Sequence, residues 1–150
     1  MEVTAGSDVF NLQAFLMGCL VLLICLAIQA LFVVLAVSKC KRLISHLIKE
    51  HKNLQAHFVF LLGILILLTS HLCQIYIWGL ALNVYGVIDN MHQAMVYAGS
   101  TYTTVGFITD PLQTHWQLLS VIMAVSGLFA FGWSTAIIFI ISQALFPEEK

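Results

Sequence analysis

The sequence predicts an all-α membrane protein with three transmembrane helices. Of its 150 residues, 61% are hydrophobic and only 9% are charged, whereas a soluble domain carries about 25% charged residues. The apolar residues are gathered into three long runs, and a bilayer core needs roughly 20 such residues per helix. These two observations exclude an ordinary soluble domain.

The three predicted spans run from Ala14 to Ser38, from Phe58 to Val84, and from Trp116 to Phe146. None contains Asp, Glu, Lys or Arg, each of which costs about 2.5–3.5 kcal/mol at the bilayer centre. The first run is preceded by the acidic residues Glu2 and Asp8 and by no basic residue. It also exceeds the roughly 7–15 apolar residues of a signal peptide. We therefore expect it to be a span that is not cleaved.

The distribution of basic residues predicts the orientation. Five of the six lie between the first and second spans, and the sixth is Lys150. Short loops rich in Lys and Arg stay in the cytoplasm. We therefore predict a multi-pass protein of the plasma (cell inner) membrane with its N-terminus outside and its C-terminus in the cytoplasm. The five are Lys39, Lys41, Arg42, Lys49 and Lys52.

The basic linker itself, from Lys39 to Gln55, has apolar residues at roughly helical spacing. Two structures satisfy this pattern. One is a helix on the inner membrane surface, attracted to anionic lipid. The other is a cytoplasmic extension of the first two spans as a helical hairpin.

The outer loop between the second and third spans has the pattern of a re-entrant hairpin. Asp89-Asn90 offers oxygens that can cap a helix, and the segment from His92 to Tyr102 is long enough for about three turns. The strip Thr103-Thr104-Val105-Gly106-Phe107 that follows would not continue a helix well, and Pro111 ends it. Such irregular backbone is tolerated at membrane depth only where it is buried in protein or lines water.

This strip resembles the selectivity filter of potassium channels, whose pattern is Thr-Val-Gly-Tyr/Phe-Gly-Asp. The chain is also similar to small bacterial ion-channel-like proteins with a Phe-Gly-Trp-Ser-Thr-Ala stretch in the last span, here Phe131 to Ala136. The resemblance covers the chain from about Phe58 onward, and more loosely the first span. It implies a homotetramer in which backbone carbonyls replace the water shell of a cation. The ion-binding residues would be Thr104, Val105, Gly106 and Phe107, with the Thr104 hydroxyl as the innermost ring.

The outer mouth departs from this pattern. Ile108, Thr109 and Asp110 stand where the family has Gly-Asp. The absent glycine serves a backbone region that a β-branched residue rarely visits. The resemblance thus implies a passive channel for K⁺, with weakened discrimination against Na⁺ left open. The alternative is a non-conducting accessory subunit, which a plug of Ile108 side chains would favour and an open axial path would oppose.

The third span would line the inner cavity. Its Gly127 and Gly132 are candidates for a gate hinge, and close helix packing through small residues is the alternative for both. Tyr97 and Tyr102 would buttress the filter, as aromatic residues do in the resembling family. No span carries a series of arginines, which argues against a voltage sensor.

Histidines supply the remaining candidates. His71 is an ionisable group within a span and therefore a functional candidate, or a neutral residue hydrogen-bonded to Gln29 or to backbone. His92 and His115 flank the outer mouth and would sense external pH, with an ordinary solvated or capping role as the alternative. Neither the histidines nor the four dispersed cysteines have the spacing of a metal or haem site.

We divide the chain into residues 1–56, a first span with its basic linker, and residues 57–150, a pore module. We expect no enzymatic activity, because no nucleophile and base converge. Cofactors other than the permeant ion and nucleic-acid partners are not expected. The expected partners are three further copies of the chain and membrane lipid, and a regulatory partner is left open.

Overall fold

The computed structural model describes residues 11–108, 112–113 and 116–145. Every regular element in these residues is helical, and three helical stretches are long and apolar enough to cross a membrane. This confirms the all-α prediction and the three spans. The elements are α1 (Leu12–Ala36), a π-helical turn (Val37–Lys41), α2 (Arg42–Lys49), α3 (Asn53–Val84), α4 (Met91–Tyr102) and α5 (Leu118–Leu145).

The basic linker adopts the hairpin form. The chain continues from α1 through the π-helical turn into α2 as one helical stretch from Leu12 to Lys49. It then reverses at His51, whose φ of 60° is left-handed. The Lys52 amide donates to the Leu47 carbonyl at 2.9 Å, and the His51 amide donates to the Ile48 carbonyl at 3.0 Å. α2 and α3 therefore extend the pair of spans.

The three long helices bury one face each. The buried residues of α1 recur every three or four positions, which is the period of one helical face. A Cβ on Gly18 would lie 2.7 Å from Ile122 Cδ1 of α5, and one on Gly63 would lie 3.2 Å from Cys40 Sγ. Small residues thus allow α1 and its extension to approach α5 and α3 closely.

The short helix α4 packs between α3 and α5. Its N-cap is Asn90, as predicted, whose Oδ1 accepts from the Gln93 amide at 3.1 Å. The preceding loop is held by Asn83 Nδ2, which donates to the carbonyls of Ile88 at 3.0 Å and Asp89 at 2.7 Å. A helix of 12 residues is about 18 Å long, too short to cross a bilayer core. Its buried residues are Ala94, Tyr97, Ala98, Ser100 and Tyr102.

Candidate functional site: the segment after the short helix

The C-terminus of α4 is closed by a Schellman motif. The Val105 amide donates to the Ser100 carbonyl and the Thr104 amide donates to the Thr101 carbonyl, each at 3.0 Å. The Gly106 amide also reaches the Ser100 carbonyl, at 3.2 Å. This pairing satisfies carbonyls at the helix end and turns the chain sharply out of the helix.

Thr104 holds the left-handed position of this motif, with φ of 60°. The same position is occupied by Gly86 after α3 and by His51 after α2, with φ of 66° and 60°. Glycine is the usual residue there, because an L-residue with a Cβ pays about 1–2 kcal/mol for a left-handed φ. Thr104 is the only β-branched residue of the three. Local backbone energetics therefore do not explain why a threonine stands at this position.

The sign of φ then alternates along the backbone. The φ angle is positive at Thr104 and Gly106 but not at Val105 or Phe107. Rings of backbone carbonyls that coordinate a cation need successive carbonyls that face one axis. Gly106 holds its left-handed φ without the steric cost that a Cβ would add.

The predicted filter residues are exposed on the surface of the single chain. Thr104, Val105, Gly106 and Phe107 are all exposed, with 65% of Val105 and 68% of Phe107 accessible. A Cβ placed on Gly106 would meet no atom within 4 Å. The strip therefore makes little packing contact with the rest of its own chain.

The structure describes part of the predicted outer mouth. Ile108 is half-buried and packs against the hydrophobic core at the α4 end of the helices. It shares a shallow groove with His92, which is exposed on α4. Thr109, Asp110 and His115 lie outside the described residues.

The depth of the α4 terminus follows from its contacts. The Tyr102 hydroxyl lies 3.0 Å from Nδ1 of His71. His71 lies thirteen positions before Val84 at the end of α3, which is about 20 Å of helix. On the other side, the Tyr102 carbonyl packs directly against Gly127, nine residues or about 14 Å into α5. The end of α4 thus lies well inside the bundle of long helices.

A buried polar cluster surrounds this point. Gln29 of α1 donates through Nε2 to Ser134 Oγ at 2.9 Å and accepts at Oε1 from Ser70 and Gln74, each at 2.8 Å. His71 shares hydrogen bonds with Tyr102 through Nδ1 and with Ser134 through Nε2, at 3.1 Å in the second case. The cluster joins α1, α3, α4 and α5. We name it the polar cluster; its members are Gln29, Ser70, His71, Gln74, Tyr102 and Ser134.

The partners of His71 differ from those that the sequence predicts, Gln29 or backbone. Gln29 bonds instead to Ser70, Gln74 and Ser134. The imidazole is held by two hydroxyls and stacks on Phe131 with ring centroids 4.3 Å apart. Polar residues within the apolar spans were the signal for this cluster, but their pairing depends on how each helix is rotated.

The two glycines of α5 have different surroundings. A Cβ at Gly127 would overlap the Tyr102 carbonyl, so close packing accounts for this glycine within one chain. Gly132 is exposed, and a Cβ there would meet nothing within 4 Å. A hinge at either position stays a prediction.

Every Lys and Arg in the described residues lies at the end of the bundle far from α4. Lys39, Arg42 and Lys49 are exposed along one groove on the α1–α2 extension. Glu50 hydrogen-bonds to Lys52 at 2.7 Å, and this contact lowers the pKa of the Glu50 carboxyl below its ordinary value. Among the described residues, no three His, Cys, Asp or Glu side chains are grouped to hold a metal ion.

Comparisons with family models, curated proteins and solved structures give no match to this chain.

Proposed function

We propose that four copies of this chain surround a cation-conducting pore whose narrowest part is Thr104–Phe107 of each copy. The observation that carries the proposal is exposed, irregular backbone at the end of a helix that terminates deep among three membrane-spanning helices. Lipid cannot hydrogen-bond to such backbone, so the backbone must face water or other protein. A pore shared by several copies supplies water on one side of the backbone and protein on the other.

The backbone geometry supports a cation as the permeant species. Rings of backbone carbonyls can replace the water shell of a cation, and the left-handed φ at Thr104 and Gly106 is compatible with such a ring. The C-terminus of α4 carries the negative end of the helix dipole, which is favourable to a cation beyond it. The three spans contain no Asp, Glu, Lys or Arg. Selectivity would therefore depend on backbone carbonyls and on the Thr104 hydroxyl.

The resemblance to potassium channels implies that four copies close the ring. One strip supplies only one side of a coordination shell, and identical subunits close a ring by rotational symmetry. The exposure of Val105 and Phe107 in a single chain is consistent with surfaces that other copies cover. In this arrangement α4 and the strip form a re-entrant pore loop, and K⁺ is the expected ion.

The second candidate is an accessory subunit that keeps this architecture without conducting. It requires Ile108 side chains to close the axial path. Ile108 instead packs against the core of its own chain. That contact favours the conducting form.

A thiol-block experiment tests the proposal. In a chain whose four native cysteines are replaced by alanine, Thr104→Cys is compared with Thr69→Cys. Thr69 is an exposed α3 threonine whose hydroxyl bonds within its own helix at 2.8 Å. A small cationic thiol reagent should abolish K⁺ flux through Thr104→Cys and leave Thr69→Cys unaffected. If both variants conduct K⁺ and the reagent blocks neither of them, Thr104 is not a pore residue.

A further inference from the structure

His71 links the end of the short helix to the last long helix through one ring. Its Nδ1 lies 3.0 Å from the Tyr102 hydroxyl, and its Nε2 lies 3.1 Å from Ser134 Oγ. A neutral imidazole has one donor and one acceptor nitrogen, and hydroxyls can complete either role. Both ring nitrogens are therefore satisfied, and α4 and α5 are held to the same residue of α3.

The ring has little freedom to move. It stacks on Phe131 with an interplanar angle of 21°, and only 5% of His71 is exposed. Ser134 is fixed in turn by Gln29 Nε2 at 2.9 Å. Gln29 has no exposed surface and is bonded on its other side to Ser70 and Gln74. The hydrogen bond between His71 and Tyr102 is thus supported by residues of three long helices, α1, α3 and α5.

The tethered residue is next to the proposed filter. Tyr102 is the last residue of α4, and Thr104 follows it by two positions. The Tyr102 carbonyl packs against Gly127 while its hydroxyl reaches His71. A shift of α5 would act on Tyr102 at two separate points, its backbone and its hydroxyl.

We infer that His71 is a positioning residue for Thr104–Phe107: through Tyr102 and Ser134 it makes the conformation of this strip depend on the position of α5. The inference rests on the proposed function in assigning a permeation role to the strip. The physical link from His71 through Tyr102 to the strip does not depend on whether ions pass.

Two conservative substitutions at His71 distinguish its contact with Tyr102 from its contact with Ser134. The side-chain amide nitrogen of asparagine can occupy the position of Nδ1, and that of glutamine can occupy the position of Nε2. His71→Asn therefore keeps the Tyr102 contact, whereas His71→Gln keeps the Ser134 contact. Tyr102→Phe removes one oxygen and keeps the ring.

Hydrogen exchange gives the first readout, measured on the reconstituted full chain at the amides of Thr104, Val105 and Gly106. Tyr102→Phe and His71→Gln should raise these rates about threefold, the effect of losing one average side-chain hydrogen bond in a membrane protein. His71→Asn should stay close to the unmodified protein. The matched control is Thr69→Val, which keeps the shape of the side chain and loses a 2.8 Å bond to the Leu65 carbonyl on the exposed face of α3.

The ratio of K⁺ to Na⁺ permeability gives the second readout. This ratio should change in Tyr102→Phe and in His71→Gln, change no further when the two substitutions are combined, and stay constant in Thr69→Val. The inference is overturned if the exchange rates do not respond, if Thr69→Val raises them equally, or if they rise while the permeability ratio is constant. A protein that carries no ions refutes the proposed function, and the exchange rates then decide the positioning role alone.

Discussion

Thr104 and Gly86 occupy the same left-handed position in two helix-ending motifs, with φ of 60° and 66°. In each motif the amide of the next residue donates to the carbonyl five positions earlier, at 3.0 Å for Val105 and 2.9 Å for Val87. At this position the loop after α3 has glycine, which suits a left-handed φ, whereas the end of α4 has the β-branched Thr104. Backbone strain of this kind is typical of functional sites.

Replacement of Thr104 by glycine should therefore stabilise the protein and impair permeation. Relief of the left-handed φ is worth about 1 kcal/mol, while the hydroxyl proposed to meet the ion is lost. Thermal unfolding in detergent should show a higher midpoint, and liposome assays should show altered K⁺ flux. His51→Gly is the control, since it relieves the same strain at the far end of the bundle and should leave the flux unchanged. A Thr104→Gly protein with a lower midpoint would contradict this assignment of strain.

Gly127→Ala should destabilise the chain, whereas Gly132→Ala should not. A Cβ at position 127 overlaps the Tyr102 carbonyl, and overpacking of this kind costs about 1–3 kcal/mol. A Cβ at position 132 meets no atom within 4 Å, so the higher helix propensity of alanine should prevail within one chain. The unfolding midpoints of the two variants give the comparison. Similar losses at both sites would show that the packing of α5 differs from that described.

The Glu50 carboxyl should titrate below the usual range for glutamate. Its pKa is lowered first by the hydrogen bond from Lys52 and then by the charges of Lys52 and His46. Because the folded-state pKa is depressed, the contribution of this contact is complete above the unfolded pKa and is lost as pH falls through the folded one. NMR titration of the side-chain carboxyl should show the low pKa, and Lys52→Gln should raise it. An unchanged pKa in Lys52→Gln would exclude the contact as its cause.

The α2–α3 turn should face the cytoplasm. The basic residues beside it favour retention on that side. A single cysteine introduced as His51→Cys in a cysteine-free chain should react with an impermeant thiol reagent only after the cells are permeabilised. The control is His92→Cys on α4, which should react in intact cells. The reverse pattern would invert the orientation and, with it, the direction in which the proposed pore loop enters the membrane.

Features of the structure that depend on composition or on local chemistry were predictable from the sequence. Apolar length located the three spans, and the side-chain oxygen of Asn90 located the start of α4. The partners of His71 were not predictable, because Tyr102 and Ser134 are 31 and 63 residues away and each helical residue rotates by about 100°. The structure of the Lys39–Gln55 segment was likewise not predictable, because its apolar spacing suits both a helix on the membrane surface and a hairpin that extends the first two spans.

Ion flux into liposomes tests the central claim most directly. The purified protein is reconstituted, and K⁺ and Na⁺ gradients are compared for the unmodified chain, Thr104→Ala and the control Thr69→Ala. We predict a K⁺ flux well above that of empty liposomes, a smaller Na⁺ flux, and a change in both the rate and the K⁺-to-Na⁺ ratio in Thr104→Ala alone. A correctly assembled tetramer that carries neither ion at any pH would contradict the channel proposal and favour the accessory subunit.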